Sequence, residues 1–296
     1  MRNPISRLKG HLQWHYSHGR RILRSAWADR TLYYLKIRNL ICPTQIIHPN
    51  GPIVSLTSYG KRIDTVYLTI ESIGRGTCKP SRLILWLDEE DALLNPPDTL
   101  RRLVRRGLEI LPTENYKSHN KYLPYVLGCQ KFEKPLTTAD DDVIYPTDWL
   151  RALFAAYNEN NQVINCFRAR RIKICDGKLS PFTSWPFCST DAPSVLNFSE
   201  GVSGVIFPPR YLSILKLEPY GFMATCPRHD DVWLNVIALR NGFLVRQIAA
   251  KAAAFPSIPE TQKEGLWVTN LGSDGDRQIR ETYGPTDLNC LDQSKY

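Results

Sequence analysis

Three consecutive carboxylates, Asp140, Asp141 and Asp142, follow a short apolar and β-branched run. Adjacent carboxylates repel one another, so a cation that joins them would make the arrangement favourable. Hard divalent ions such as Mg²⁺ and Mn²⁺ commonly take one or two carboxylates and leave other positions to water and substrate phosphates. In an extended segment Asp140 and Asp142 point to one side and Asp141 to the other. We therefore predict Mg²⁺ or Mn²⁺ ligands at Asp140 and Asp142. A solvated acidic loop that caps the next helix is the alternative.

The residues around the acidic triplet predict a strand, a turn and a helix. The strand would cover residues 136–142. Pro146 suits the first turn of a helix, because its missing N–H would be unbonded there. Apolar residues then recur at helical spacing, at Leu150, Leu153, Phe154 and Tyr157.

Strand and helix patterns alternate from Pro52 onwards. Strands are predicted over residues 53–57, 83–87, 108–111 and 136–142, with helical patterns between them. This alternation predicts an α/β fold with a mostly parallel central sheet and helices on both faces. Ligands of such folds lie at the carboxyl ends of the strands, where the acidic triplet and Asp88 stand.

The second half of the chain is less regular. We predict a strand over residues 163–174, a long loop over 176–200, a strand over 201–207, a helix over 230–239 and a strand over 243–248. We predict a basic N-terminal helical arm over residues 1–48, a domain over 49–255 and a C-terminal tail over 256–296. The domain would contain a nucleotide-binding half at 49–145 and an acceptor half at 146–255.

Composition indicates an ordinary soluble globular protein, with 43% hydrophobic and 23% charged residues. The eight cysteines include no Cys-x-x-Cys pair, which argues against a zinc site and favours free thiols in a reducing compartment. The sequence has no apolar run of membrane-spanning length and no apolar core of a signal peptide. We therefore expect a cytoplasmic protein.

The basic charge is concentrated in the first 40 residues, which hold nine Lys or Arg residues and a single acid, so they carry +8 of the net +9. Apolar and aromatic residues form broken stripes among these cations. The pattern predicts either attachment to an anionic inner-membrane surface or a helix packed on the domain with a solvated basic face. Nucleic-acid binding is less favoured, since no recognised motif accompanies the charge.

Several segments occur in an order that resembles bacterial sugar-nucleotide glycosyltransferases of the GT-A fold, in particular a group encoded with capsule and lipopolysaccharide genes. The resemblance covers roughly residues 52–245. It is carried by Val54–Ile63, Thr69–Ile73, Leu83–Leu87, Ala139–Pro146, Gly204–Pro209 and Asp230–Leu234.

The resemblance implies a donor site for a nucleoside-diphosphate sugar. Asp140 and Asp142 would be the metal-binding Asp-x-Asp element, and the turn with Asp141 would hold Mg²⁺ or Mn²⁺ across the diphosphate. Arg62 would reach a phosphate, or else be a solvated helix residue. The remaining implied donor contacts are Ser55, Thr57 and Tyr59 against the nucleoside, Asp88 at the base or ribose, and Lys117 and Lys121 at the diphosphate.

The resemblance also implies an acceptor site with a general base. Asp231, or its neighbour Asp230, would accept the proton of the acceptor hydroxyl; stabilisation of the helix N-terminus is the structural alternative. His229 departs from the small residue typical of the group, so its role stays open. Further acceptor candidates, each with a structural alternative in the core or in a turn, are Trp185, Gly204 and Trp233.

Taken together, these patterns predict a metal-dependent hexosyltransferase acting on a lipid-linked glycan, glycolipid or oligosaccharide acceptor in polysaccharide or lipooligosaccharide synthesis. We expect inversion at the anomeric carbon. Two other classes stay open. A nucleotidyl- or phosphotransferase would use the same fold but would normally show a Gly-rich phosphate loop after the first strand. A non-catalytic carbohydrate- or membrane-binding module would not need an acid at position 231.

Overall fold

The computed structural model describes residues 29–259, 261 and 273–294. The chain divides into two compact units, with the boundary between Cys42 and Pro43. Of the first unit the structure describes residues 29–42, and residues 29–41 form helix α1. The rest of the predicted basic arm, residues 1–28, lies outside the described residues. Within the described chain, no helix has both the length and the apolar composition needed to cross a bilayer.

The second unit is built on a central sheet. Its strands are β1 (Ile53–Thr57), β2 (Arg82–Leu87), β3 (Leu108–Pro112), β4 (Leu136–Thr138), β5 (Ile164–Cys166), β10 (Val205–Phe207) and β11 (Val245–Gln247). They are arranged in the order β11-β5-β10-β4-β1-β2-β3. Strand β10 is antiparallel to its two neighbours, and the other adjacent pairs are parallel.

Smaller elements complete this unit. Two short ribbons pair β6 (Ala169–Arg171) with β9 (Asn197–Ser199) and β7 (Ile174–Cys175) with β8 (Lys178–Leu179). The helices are α2 (Val66–Gly74), α3 (Glu90–Leu94), α4 (Asp98–Val104), α5 (Leu123–Gly128), α6 (Trp149–Glu159), α7 (Pro209–Leu215), α8 (Phe222–Thr225), α9 (Asp230–Arg240), α10 (Ser273–Thr282) and α11 (Pro285–Gln293).

Helices cover both faces of the sheet. Successive side chains of a strand point to opposite faces, so Val54 of β1 belongs to one core and its neighbour Ile53 to another. The first core contains residues of α2, α4 and α6, and the second contains residues of α5, α7 and α9. The predicted α/β class, with a mostly parallel sheet between two helical layers, is confirmed.

The fourth strand is shorter than predicted, because β4 ends at Thr138 and the acidic triplet lies in a turn. The Ala139 N–H still donates to Ser55 in β1 (3.0 Å), but the Asp140 N–H donates to the hydroxyl of Tyr145 (2.9 Å). The prediction that Pro146 starts the helix was also wrong. Helix α6 begins at Trp149, and the carbonyl of Pro146 only accepts the Trp149 N–H (3.1 Å).

The predicted strand over 201–207 begins only at Val205. Residues Gly201–Ser203 form a 3₁₀ turn, and Gly204 follows with φ of +95°. A Cβ at Gly204 would lie 2.6 Å from the ring of Trp149, so both the conformation and the space require glycine. In the same region, the predicted strand over 163–174 is divided into β5, β6 and β7. The predicted loop over 176–200 contains β8, β9 and the 3₁₀ turn Phe182–Ser184.

Helices α10 and α11 lie in the segment where we predicted only a tail. Ile279, Tyr283 and Leu291 are buried in the same core as α9. Arg240 at the end of α9 donates to both carboxylate oxygens of Asp287 (3.1 and 2.9 Å), which joins α11 to α9.

Candidate active site

A cavity of about 1010 Å³ opens at the carboxyl ends of β1, β2 and β4. Thr57 ends β1, Asp88 follows β2, and Asp140 follows β4. Strands β2 and β4 lie on opposite sides of β1, so the chain changes direction across the sheet at this point. Open α/β sheets bind their ligands at such a position, because the loops that leave the two neighbouring strands diverge and form a crevice.

Most of the site residues predicted from sequence line this one cavity, although they are separated by up to 174 positions in the chain. They are Thr57, Tyr59, Arg62, Asp88, Lys117, Lys121, Asp140, Asp141, Asp142, His229, Asp230 and Asp231.

The acidic turn is held in place by its middle residue. Asp141 accepts a hydrogen bond from the hydroxyl of Ser58 (2.7 Å) and pairs with Arg62 (2.7 Å). The same guanidinium lies 3.2 Å from Asp142. The prediction that Asp141 points away from its neighbours was therefore wrong, because the segment is not extended here. Arg62 is therefore largely buried against the turn and is not a solvated helix residue. It also lines the cavity, and its contact with a phosphate stays a prediction.

Lys121 connects the acidic turn to the start of helix α9. Its Nζ lies 2.5 Å from a carboxylate oxygen of Asp140 and 3.4 Å from one of Asp230. Burial alone would lower the pKa of Lys121, but the carboxylates of Asp140, Asp230 and Asp231 outweigh burial and raise the pKa well above its ordinary value. The ammonium therefore stays protonated and supplies a fixed positive charge in the cavity.

The two adjacent aspartates of α9 have opposite pKa shifts. Burial and the negative charge of Asp230 raise the pKa of Asp231 well above its ordinary value, although Lys121 and the Gly201 N–H (3.0 Å) act against this shift. Burial acts on Asp230 as well, but Lys121 and His119 outweigh it and lower the pKa of Asp230. Asp230 is thus the permanently charged partner of Lys121, whereas Asp231 can exchange a proton.

The cavity has a surplus of negative charge where a cation was predicted. Eight acidic and six basic side chains line it. Burial and the neighbouring charges of Asp140 and Asp141 raise the pKa of Asp142 to about 6. Carboxylate oxygens are the donors that Mg²⁺ and Mn²⁺ prefer, so the residues fit such an ion. Among the described residues, no three His, Cys, Asp or Glu side chains form a metal-binding group. A metal ion at this turn would therefore be held by two carboxylates and would take its other ligands from substrate oxygens.

Four residues predicted for the site lie outside the cavity. Ser55 is fully buried, and its hydroxyl accepts a hydrogen bond from the indole of Trp86 (2.9 Å). Trp185 and Trp233 are buried in the core and do not present their rings to a ligand. Gly204 packs against Trp149. Ser55, Trp185 and Trp233 were misassigned because burial depends on contacts distant in sequence.

The cavity also contains residues that the sequence did not single out. Arg168, Arg170 and Arg228 supply positive charge, Glu200 lies between the first two, and Phe182 adds an aromatic wall. The alternation of Arg168 and Arg170 about Ala169 was the available signal, since residues two apart on a strand share a face. No motif accompanies them.

Comparisons with known proteins give only distant likenesses. No protein-family model matches the chain, and no curated protein matches it either. Solved structures that it resembles include TarS residues 1–349 of S. aureus, at 12% identity and a TM-score of 0.48, over 81% of this chain and 69% of that one. GalNAc-T7, solved with UDP, GalNAc and Mn²⁺, matches at 11% identity and a TM-score of 0.45, over 67% and 42% of the two chains.

A third likeness is to a CMP-2-keto-3-deoxy-manno-octonic acid synthetase complexed with CTP, at 10% identity and a TM-score of 0.44, over 72% of this chain and 95% of that one. Because all three scores lie below 0.5, they carry no argument about function. That argument has to come from the cavity itself.

Proposed function

We propose that this protein is a metal-dependent glycosyltransferase that transfers a hexose from a nucleoside-diphosphate sugar to a lipid-linked or oligosaccharide acceptor, in the synthesis of a cell-surface polysaccharide. One observation carries the proposal. A single cavity holds the acidic turn and Asp231 together, with the ammonium of Lys121 paired to both Asp140 and Asp230.

The donor would occupy the end of the cavity formed by β1, β2 and the acidic turn. Thr57, Tyr59 and Asp88 line this end and would contact the nucleoside. Asp140 and Asp142 would hold Mg²⁺ or Mn²⁺. When bound, the ion would neutralise charge on the diphosphate leaving group. Lys121 adds a second positive charge close to the same place.

The transfer itself would be a single displacement. The acceptor hydroxyl oxygen attacks the anomeric carbon, the bond from that carbon to the diphosphate oxygen breaks, and the nucleoside diphosphate leaves. Asp231 accepts the hydroxyl proton. A raised pKa suits this role, because a general base works best when its pKa lies near the working pH. The N–H of Gly201 orients the carboxylate (3.0 Å). Attack opposite the leaving group inverts the anomeric configuration.

The nucleotidyl- or phosphotransferase alternative is not favoured by the loop after β1. Such an enzyme would cradle phosphates with free backbone N–H groups. Here the N–H of Gly60 already donates to Glu89 (2.5 Å), and the Arg62 guanidinium pairs with Asp141 and Asp142.

A thermal-shift panel tests the proposal. The full chain is heated with UDP-, GDP- and CMP-sugars, each with and without Mn²⁺. Because a ligand that binds only the native state raises the melting temperature, one nucleotide class should stabilise the protein only when Mn²⁺ is present. Asp142→Asn should abolish the Mn²⁺-dependent part. Absence of stabilisation by every nucleotide would contradict the proposal.

A further inference from the structure

A pair of arginines, Arg168 and Arg170, also lines the cavity, and the proposed chemistry does not use it. Both line the cavity, and both side chains are largely buried, at 23% and 13% exposure. They share one carboxylate: the Nε of Arg168 lies 2.6 Å and the Nε of Arg170 3.2 Å from the two oxygens of Glu200. In the part of the chain that the structure describes, Glu200 is the one carboxylate that pairs with these two guanidinium groups, so the three side chains together carry a net charge of +1.

The arginine pair is rigidly held. Arg170 donates a second hydrogen bond to the carbonyl of Trp185 (2.9 Å). The ring of Phe187 lies against both guanidinium groups, 4.6 Å from that of Arg168 and 4.3 Å from that of Arg170. The ring of Phe182 lies 4.8 Å from Arg170. Aromatic faces attract guanidinium cations and restrict their orientation. The order of the pair therefore does not depend on a ligand.

The arginine pair nevertheless keeps unused hydrogen-bond donors. Both terminal nitrogens of Arg168 and Nη2 of Arg170 make no hydrogen bond to any residue in the described part of the chain. Arginine forks match the geometry of carboxylate and phosphate oxygens and bind them through two parallel hydrogen bonds. A largely buried positive charge with free donors is what an anionic ligand would complete.

The position of the pair indicates which substrate carries the anion. Glu200 precedes Gly201, whose N–H holds the carboxylate of Asp231 (3.0 Å), and the Glu200 N–H donates to the Arg168 carbonyl (3.0 Å). The pair is therefore built onto the loop that orients the proposed general base. In the proposed function the donor diphosphate lies at the acidic turn and Lys121. Among the described residues, Lys121 pairs with Asp140 and Asp230, whereas the two arginines pair with Glu200.

We infer that the acceptor carries an anionic group, a phosphate or a carboxylate, close to the hydroxyl that is glycosylated, and that Arg168 and Arg170 bind this group. The inference rests on the proposed function, because it takes Asp231 to mark the acceptor end. The two arginines would be positioning and specificity residues, since they would hold the acceptor and leave the reacting atoms to Asp231.

Small probes test the inference without a known acceptor. Glycerol 3-phosphate and D-glucuronate are titrated into the full chain by ligand-observed NMR, beside their uncharged counterparts glycerol and D-glucose. We expect the charged probes to bind at least tenfold more tightly than the uncharged ones. The tighter of the two charged probes distinguishes a phosphate from a carboxylate acceptor. Equal binding of charged and uncharged probes would overturn the inference.

Variants assign the binding to the pair. Arg168→Gln with Arg170→Gln should weaken the charged probe at least tenfold, whereas Arg82→Gln, which removes an exposed arginine paired with Glu109, should not. If the double variant fails to fold, Arg168→Lys keeps the charge without the fork and should give a smaller loss. Unchanged probe binding in these variants would overturn the assignment. Failure of the proposed function would appear separately, as loss of Mn²⁺-dependent nucleotide stabilisation in the unmodified protein.

Discussion

At the scale of single residues, the site depends on how five aspartates share two cations. Arg62 pairs with Asp141 and Asp142, and Lys121 with Asp140 and Asp230, which leaves Asp231 with a backbone N–H as its closest partner. Of the two adjacent aspartates of α9, Asp230, which pairs with Lys121, has a lowered pKa, and Asp231 has a raised one. The ion pair with Lys121 therefore keeps Asp230 charged, whereas its neighbour Asp231 can accept a proton.

Asp231→Asn should lower the transfer rate by about 10²–10⁴-fold, the usual contribution of a general base, and leave Mn²⁺-dependent donor stabilisation intact. The raised pKa also predicts a pH profile. Below that pKa Asp231 is protonated and cannot accept a proton, so the rate of the unmodified enzyme should rise with pH through it.

Asp231→Glu is the matched control, because it keeps an acid at this position. Its transfer rate should still rise with pH, although the rate itself should be lower. The measurement is nucleoside-diphosphate release across a pH series. A fully active Asp231→Asn protein would remove Asp231 from the chemistry, and loss of turnover without loss of donor binding would argue against a purely binding module.

At the scale of elements, the parts predicted from sequence are those governed by local patterns. The strand Leu83–Leu87 is apolar throughout because helices cover both faces of the sheet, and the helix starting at Asp230 shows its boundary in its own residues. The contacts that build the site could not be predicted in this way. Arg62 and Asp141 are 79 positions apart, and nothing in either segment marks the other as its partner.

Burial was equally hard to predict from sequence. Trp185 lies in a proline-flanked segment that is typical of an exposed loop, but the rings of Phe182 and Phe198 pack on it, with ring centroids 5.3 and 5.4 Å away.

Arg168 and Arg170 were missed for a related reason. Their arrangement depends on Glu200 and Phe187, which reach them through the pairing of β6 with β9 and a bridge between Arg170 and Phe187.

His119, in the 3₁₀ turn Lys117–Lys121, should make the packing of this turn against α8 sensitive to acid. Its ring stacks on Phe222 (3.7 Å), Nδ1 accepts from the Tyr122 hydroxyl (2.9 Å), and Nε2 donates to the Cys226 carbonyl (2.9 Å). In this tautomer the neutral ring satisfies both of its nitrogens in a fully buried position. Burial lowers the pKa of His119 from 6.5 to about 4, although Asp230 acts in the opposite direction.

Because the unfolded chain binds the proton near pH 6.5 and the folded chain only near pH 4, stability from His119 is complete above pH 6.5 and is lost as the pH falls towards 4. The loss should reach about 3 kcal/mol. Urea unfolding at pH 7 and pH 4.5 measures it. His119→Gln cannot titrate, so its free energy of unfolding should fall less over this interval. Parallel pH dependences of the two proteins would contradict the expectation.

Asp287 should stabilise the C-terminal helices. Its carboxylate accepts the Gly284 N–H (2.8 Å) at the start of α11 and pairs with Arg240. Asp287→Ala should lower the free energy of unfolding by about 2–3 kcal/mol, from a lost cap and a broken, partly buried ion pair. Asp98→Ala is the control, because its pair with Arg101 is exposed and should contribute under about 1 kcal/mol. Equal losses in chemical denaturation would contradict this account.

At the scale of the whole molecule, the predicted attachment to an anionic membrane surface can be tested on the exposed apolar residues of helix α1. Tyr33, Tyr34, Ile37, Leu40 and Ile41 follow helical spacing and are 36–75% exposed. Such a stripe beside basic residues suits an anionic bilayer surface.

Replacing Ile37, Leu40 and Ile41 by Ser should lower binding of the full chain to vesicles that contain phosphatidylglycerol by at least about tenfold, because less apolar area enters the interface. Vesicles of phosphatidylcholine alone should bind the unmodified protein weakly. Co-sedimentation measures both. Equal binding of the variant and the unmodified protein would show that the stripe does not contact lipid.

We propose above that a divalent cation at Asp140 and Asp142 binds the diphosphate of an activated sugar. Crystals grown with Mn²⁺ and the stabilising nucleotide, measured at a wavelength where manganese scatters anomalously, test it most directly. We expect an anomalous peak within coordination distance of oxygens of Asp140 or Asp142 and of the diphosphate. Bound nucleotide with no peak beside either carboxylate would contradict it.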